Sequence, residues 1–270
     1  MMDHDDLRWT LPDLDAAISR CRVRNGQGIR CILHALRENV RSPAGAAQSL
    51  DASRECLHAI APHGLDASIS VKLTALGALE NPSLCRDLMV QICEEAASPG
   101  IMVEVDMEGR NLVEFTLSAA RDCGMRASAS SVALQAYLDR TPGDLEEATA
   151  AGLRVRIVKG AYLGDTDDFF AIQRRFQALC RECIEREVPF GIGTHDPDLI
   201  SWITRTLPDL RAYVEFGFLM GLADETKQQL VRDGWQVAEY IPYGADREPY
   251  VIRRNRYLAA LSRQGRQPAP

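Results

Sequence analysis

Long apolar runs are missing from this chain of 270 residues, none reaching the roughly 18 that a membrane span requires. The acidic opening Met-Met-Asp-His-Asp-Asp carries neither the basic nor the apolar stretch of a secretion signal, so a cytoplasmic protein is expected, at most peripheral to a membrane. Basic charge is in the minority, 31 Lys and Arg against 38 Asp and Glu, for a formal net charge of -7. A surface of that sign repels a phosphate backbone, which argues against nucleic acid as a partner. Cysteine is too dilute for a disulfide scaffold, with eight in the chain. Cys31, Cys56, Cys93 and Cys123 lie in apolar periodic stretches and are expected to be reduced core thiols. The one C-x-x-C, Cys180 and Cys183, sits in a helical run with no second Cys or His pair to complete a zinc site. Neither G-x-G-x-x-G nor G-x-x-x-x-G-K-[ST] occurs, so a doubly wound dinucleotide sheet lacks its phosphate-binding turn.

What is present is an alternation. Eight short segments rich in β-branched residues, at 28–33, 67–73, 101–106, 130–136, 153–159, 189–194, 212–218 and 237–241, each lead through a turn into a helical pattern. Their starts are 23 to 39 residues apart, room for the crossover helix that parallel pairing needs. Eight such units predict a (β/α)8 barrel of α/β class. Residues 1–25 read as a helical lead-in, 26–262 as the barrel and 263–270 as a flexible tail.

In a barrel the chemistry collects at the C-terminal strand ends, and polar residues fall there in this sequence. They are Lys72, Asp106, Gln135, Arg156 with Lys159, Thr194 with His195 and Asp196, Glu215, and Tyr240. Two of only three lysines end strands, which singles out a compact ammonium at those points. After the last strand, 247–261 reads as a helix with Pro249 in its first turn. Tyr250, Arg253, Arg254 and Tyr257 share one face of it by their spacing. Two guanidinium forks beside two phenols suit a carboxylate better than a core.

Seven runs carry a family resemblance. Ser70-Val-Lys-Leu-Thr-Ala-Leu-Gly77, Val105-Asp-Met-Glu108, Gln135-Ala-Tyr137, Arg156-Ile-Val-Lys-Gly-Ala-Tyr162, Thr194-His195, Glu215-Phe to Gly221, and Tyr240-x-Pro-Tyr-Gly to Tyr250-x-x-Arg-Arg254 follow one another between positions 28 and 258. In that order they resemble the flavin-dependent proline dehydrogenases. The resemblance implies a barrel that holds FAD at its strand ends, with the last helix over the mouth instead of beside it. It implies oxidation of L-proline, or a close derivative, to 1-pyrroline-5-carboxylate by hydride transfer to flavin. Arg253, Arg254 and Lys72 would grip the substrate carboxylate, and Tyr162, Leu219, Tyr240 and Tyr250 would pack its ring. Met107, Gln135, Arg156, Val158, Lys159, Gly160, Thr194 and His195 would hold FAD. Asp106 and Arg156 would be the catalytic pair, Asp106 organising the site and Arg156 lying near the flavin N5. A quinone is the implied electron acceptor.

The chain departs from the family pattern at Asp196, where Asn is usual, at Tyr257 and Leu258 for an acid and an amide, at Leu163 for Trp, and at Gly217 for Gln. These positions border the flavin in the family, so partial flavin occupancy is expected. Two other readings stand beside this one. Glu104, Asp106, His195 and Glu215 could bind a divalent metal in an aldolase- or hydrolase-like barrel, or the barrel could bind proline without turning it over.

Overall fold

Strands covered by helices on one side and packed around a closed interior on the other are buried on both faces, so they read as nearly unbroken apolar runs. The computed structural model describes residues 6–127, 129–263 and 265–270. Strands β1 (Arg30–Ala35), β2 (Ala67–Val71), β3 (Val103–Val105), β4 (Ser130–Gln135), β5 (Arg154–Val158), β6 (Phe190–Gly193), β7 (Val214–Leu219) and β8 (Gln236–Tyr243) follow in chain order. All pair parallel, and β8 closes on β1. The expected (β/α)8 barrel is the observed fold, each strand end lying within two residues of its expected place.

Helices α1 (Asp6–Trp9) and α2 (Leu14–Gly26) precede the first strand. Six helices cover the barrel between strands up to β7: α3 (Pro43–Ile60), α4 (Pro82–Ala97), α5 (Val113–Gly124), α6 (Thr141–Ala150), α7 (Phe169–Glu185) and α8 (Pro197–Thr206). Then come α9 (Asp224–Arg232) and, after β8, α10 (Glu248–Arg263). Their starts are written locally. Asp13, Ser42, Asn81, Asp168 and Asp196 each accept from a backbone N–H of the first turn, and Pro43, Pro82 and Pro197 supply the first turn of α3, α4 and α8.

Two expectations change. Cys93 on α4 and Cys123 on α5 are joined in a disulfide, Cα atoms 5.5 Å apart, so these two are not reduced thiols. Periodicity had shown each cysteine buried, but only the packing of α4 against α5 makes them neighbours. The other six cysteines are free and buried, Cys180 and Cys183 among them. The tail, expected to be loose, is packed against the barrel. The Ala269 N–H donates to the His195 carbonyl at 2.8 Å, and Arg266 stacks 3.9 Å over the Phe169 ring while pairing with Asp198. Proline and alanine at a chain end look mobile in sequence, and the contacts that hold the tail come from the loop after β6 and from α7, α8 and α9, where the Thr226 N–H donates to the Pro270 carbonyl at 2.9 Å.

Helix α10 crosses the mouth. Arg253 reaches Glu38 beyond β1, and the Tyr257 ring lies 6.2 Å from His195 beyond β6. Trp9, fully buried, donates its indole N–H to Asn255 at 3.1 Å and ties the lead-in to this helix. Among the described residues no helix is long and apolar enough to cross a membrane.

Candidate active site

Alternation along the strands places charge in this barrel's interior, where Val, Ile and Leu are more usual. Strands β1, β3, β5 and β7 contribute one layer. Arg30 donates to Glu104 at 3.0 Å and clasps Glu215 through two bonds of 2.8 Å, while Arg156 donates to the other Glu104 oxygen at 2.7 Å. Charges this deep persist only in pairs. The layer also corrects two expectations. Glu215 lies near the start of β7, inside the barrel, and Leu219 closes that strand. With Arg30, Arg156 and Ser68 on Glu104, and Arg30 and Arg154 on Glu215, both carboxylates are already neutralised by guanidinium groups, which opposes a metal cation there. No cluster of three or more His, Cys, Asp or Glu placed to hold a metal ion exists among the described residues.

One level nearer the mouth stands Asp106. Its Oδ2 accepts from Lys72 at 3.1 Å and from the Tyr240 hydroxyl at 2.7 Å, and its Oδ1 accepts from Arg156 at 3.1 Å. Burial pushes the carboxyl upward, but Lys72 and Arg156 more than offset it and hold it well below the usual carboxylate range. The same exchange keeps Lys72 charged, since burial lowers its affinity for a proton and Asp106 raises it further. Tyr240 also shares a hydrogen bond with Ser70 at 3.2 Å. Asp106 is thus a buried hub, not a solvated rim residue.

Helix α10 faces this hub with its tyrosine and arginine side. Arg253 forks onto both oxygens of Glu38 and lies 5.4 Å over the Tyr162 ring. Arg254 lies 5.1 Å over the Tyr250 ring. The Tyr162 and Tyr250 hydroxyls and the Arg254 Nε are buried without a partner. The structure therefore brings Lys72, Asp106, Tyr162, Tyr240, Tyr250, Arg253 and Arg254 to one end of the barrel, where the phenol of Tyr250 feels the charges of Arg254, Lys72, Asp106 and Arg253.

The residues assigned to a cofactor follow the ends of β3 to β6. Met107 is buried just beyond Asp106. Gln135 donates to the Glu108 carbonyl at 3.1 Å and leaves its buried Oε1 without a partner. Val158 closes β5, and Gly160 takes φ +126, where a Cβ would strike the Tyr137 ring at 2.4 Å. Lys159 is engaged within the protein, 2.5 Å from Asp196, which also accepts from Gln173 at 2.7 Å. Thr194 accepts from the Asp196 N–H at 3.2 Å. The His195 Nε2 accepts from the Leu219 N–H at 3.0 Å, so its proton is on Nδ1. Burial and the Arg254 charge lower that imidazole to about 3 and keep it neutral. Leu219 is pinned from both sides, its carbonyl accepting from buried Lys227 at 3.3 Å.

Sequence reasoning missed Glu38, Glu108 and His34. Glu38 and Glu108 lie in loops, and only their partners Arg253 and Thr74 reveal them. His34 had a signal. It shares the inward side of β1 with Arg30 and Ile32, but with the strand ended at Leu33 it fell outside the strand-end set.

The proline dehydrogenase family model matches residues 17–256. Proline dehydrogenase 1 of Bacillus subtilis subsp. natto is 28% identical over 248 residues, covering 89% of this chain and 82% of the relative. The proline dehydrogenase of Deinococcus radiodurans is 26% identical over 261 residues, with the same two coverages. Among solved structures, proline utilization A from Bdellovibrio bacteriovorus inactivated by N-propargylglycine superposes with TM-score 0.82 at 18% identity, over 93% of this chain. The chain spans about a third, 32%, of that much longer protein, and the likeness at this identity speaks for the fold. A family model that matches from α2 into α10, on a barrel whose mouth holds a buried acid hub under a helix with paired arginines, fixes the assignment: the chain belongs to the proline dehydrogenase family.

Proposed function

We propose that this chain oxidises L-proline, or a close derivative, to 1-pyrroline-5-carboxylate with a flavin as the hydride acceptor. The observation that carries the reading is the grouping of Lys72, Arg253 and Arg254 beside the Asp106 and Tyr240 hub at the barrel mouth. Three cations under one helix match a small anion. The Arg254 fork and the ammonium of Lys72 take the carboxylate from different sides, and Arg253 adds the N–H groups that Glu38 leaves free, which fixes a small ring in place. Tyr162, Leu219, Tyr240 and Tyr250 supply apolar walls for that ring. Asp106 holds Lys72, Arg156 and Tyr240 in position while keeping the cations from repelling one another.

The residues present fit a flavin best at its ring end. The orphaned Gln135 Oε1 is a buried acceptor for an N–H edge, and Met107 and Val158 give apolar contact nearby. Arg156, Gly160, Thr194 and His195 complete the set, with Lys159 joining once it leaves Asp196. A bound flavin supplies the two-electron acceptor that no side chain can. Asp196 works against the phosphate end by neutralising Lys159, which supports partial FAD occupancy. We place reoxidation on a quinone, and the protein in the cytoplasm, at most peripheral to the membrane. The test is anaerobic addition of L-proline to purified, FAD-reconstituted protein while the visible flavin absorbance is followed. Bleaching with one product imine per flavin is expected, and a spectrum indifferent to proline would overturn the proposal.

A further inference from the structure

His34 stands at the barrel mouth, and neither the clamp nor the flavin set uses it. Its side chain is 1% exposed, with its ring centroid 5.5 Å from that of Tyr240. Nδ1 lies 3.0 Å from the Ser70 carbonyl oxygen, which can only accept, so Nδ1 carries the proton and Nε2 offers a bare lone pair. That Nε2 is buried without a partner. Charged and titratable groups face it from four sides: Lys72 beyond β2, Asp106 beyond β3, Glu38 beyond β1 and Tyr240 on β8. Burial, and then the Lys72 charge, lower the imidazole to about 4, so it is neutral at physiological pH.

The two carboxylates that face it are spent. Asp106 serves Lys72, Arg156 and Tyr240, and Glu38 serves Arg253. A buried lone pair left unmet is rare unless a ligand or water meets it. The position of Lys72 says which ligand. An α-amino acid carries its carboxylate and its amine on one carbon, so the groups that receive them must be neighbours, one cation and one acceptor. Lys72 follows β2 directly, two residues beyond Ser70, the residue that orients His34, and the Lys72 charge acts on the imidazole.

We infer that the Nε2 lone pair of His34 accepts a hydrogen bond from the ring N–H of the substrate while Lys72 beside it takes the carboxylate. The contact rests on the proline reading and deepens it, because it selects an α-amino acid over a carboxylic acid of the same shape. Cyclopentanecarboxylate, with CH2 in place of the ring NH, is the matched probe. In the holoenzyme, His34→Leu is expected to raise the KM for L-proline about tenfold or more and to leave inhibition by cyclopentanecarboxylate within about twofold. His34→Gln keeps an acceptor oxygen and should recover part of the loss. Equal weakening of both ligands would mean that the imidazole merely props Ser70 and Lys72, and no change in either would mean that Nε2 meets no ligand. Each result overturns the contact. Nitrogen-15 NMR of the wild-type imidazoles gives an answer even if His34→Leu does not fold. The Nε2 signal of His34 should move on adding L-proline and stay on adding cyclopentanecarboxylate. A wild type that oxidises proline with that signal unmoved overturns the contact alone, whereas one that ignores proline overturns the proline reading with it.

Discussion

Replacing Asp106 by Asn changes one oxygen to an NH2 and little else in shape, yet it removes the charge on which three buried groups converge. Lys72 loses its carboxylate partner at 3.1 Å, the Tyr240 hydroxyl loses its acceptor or faces a donor at 2.7 Å, and Arg156 retains only Glu104. Lys72 is 7% exposed and Arg156 9%, so neither cation can turn to water without opening the mouth. Breaking a buried pair from one side costs about 3 to 5 kcal/mol, because the surviving charge stays desolvated. Arg156 keeps a second carboxylate, which puts the expected loss near the lower end, about 3 kcal/mol. For a chain of this size, that corresponds to a midpoint lowered by roughly 6 to 12 °C. Thermal melts by circular dichroism read the stability, and proline turnover read with an artificial electron acceptor gives the function. Both should fall, turnover by at least about a hundredfold, since Lys72, Arg156 and Tyr240 lose their common anchor. A melting midpoint within about 2 °C of wild type, with activity lost, would refute the stability argument and return Asp106 to the role of a solvated rim carboxylate. An unchanged turnover would refute the hub itself.

Four further outcomes follow from named contacts. Arg254→Met should raise the KM for L-proline about 10- to 200-fold, the worth of a hydrogen bond to a charged group, and steady-state kinetics showing less than about a twofold change would remove Arg254 from the clamp. Asp196→Asn frees Lys159 from its 2.5 Å partner while keeping an oxygen to cap α8, so fluorescence titration of apo-protein should show tighter FAD binding, and weaker binding would contradict the neutralisation argument. Reducing the Cys93 to Cys123 bond, which spans 30 residues, should cost about 3 to 4 kcal/mol by chain entropy, visible as a lower melting midpoint in dithiothreitol that Cys93→Ser reproduces. Acid should destabilise the fold before the carboxylates titrate: a histidine held at about 4 in the fold and near 6.5 when unfolded contributes its stability above 6.5 and loses it as the pH falls toward 4. For His34 that loss is about 3 kcal/mol, and His34→Leu should make the stability profile between pH 6.5 and about 4 less steep by about half, His195 supplying the remaining slope.

The architecture was legible in the residues because its signals are local. Strand segments buried on both faces, proline and Asp, Ser or Asn at helix starts, and a count of eight alternations need no knowledge of what lies across the barrel. The helical face that joins Tyr250 to Arg253 and Arg254 is local in the same way, since 3.6 residues per turn fixes it wherever the helix docks. Strand-end chemistry was legible where alternation and end coincided, as at Lys72, Asp106 and Gln135, whereas Tyr240 sits three residues before the end of β8.

What the tertiary structure decided are the pairings between residues far apart in the chain. Glu104 and Glu215 look like ligands until the Arg30 fork, 74 and 185 positions away, is seen between them. Arg253 and Glu38 are 215 residues apart, and Cys93 finds Cys123 only because α4 packs on α5. His34 became visible through the same kind of contact, since a carbonyl on the neighbouring strand fixes its tautomer and leaves one nitrogen bare. Periodicity tells a side chain which way to point, but closure of the barrel sets what it meets there, because a parallel barrel brings all eight strand ends into one small space.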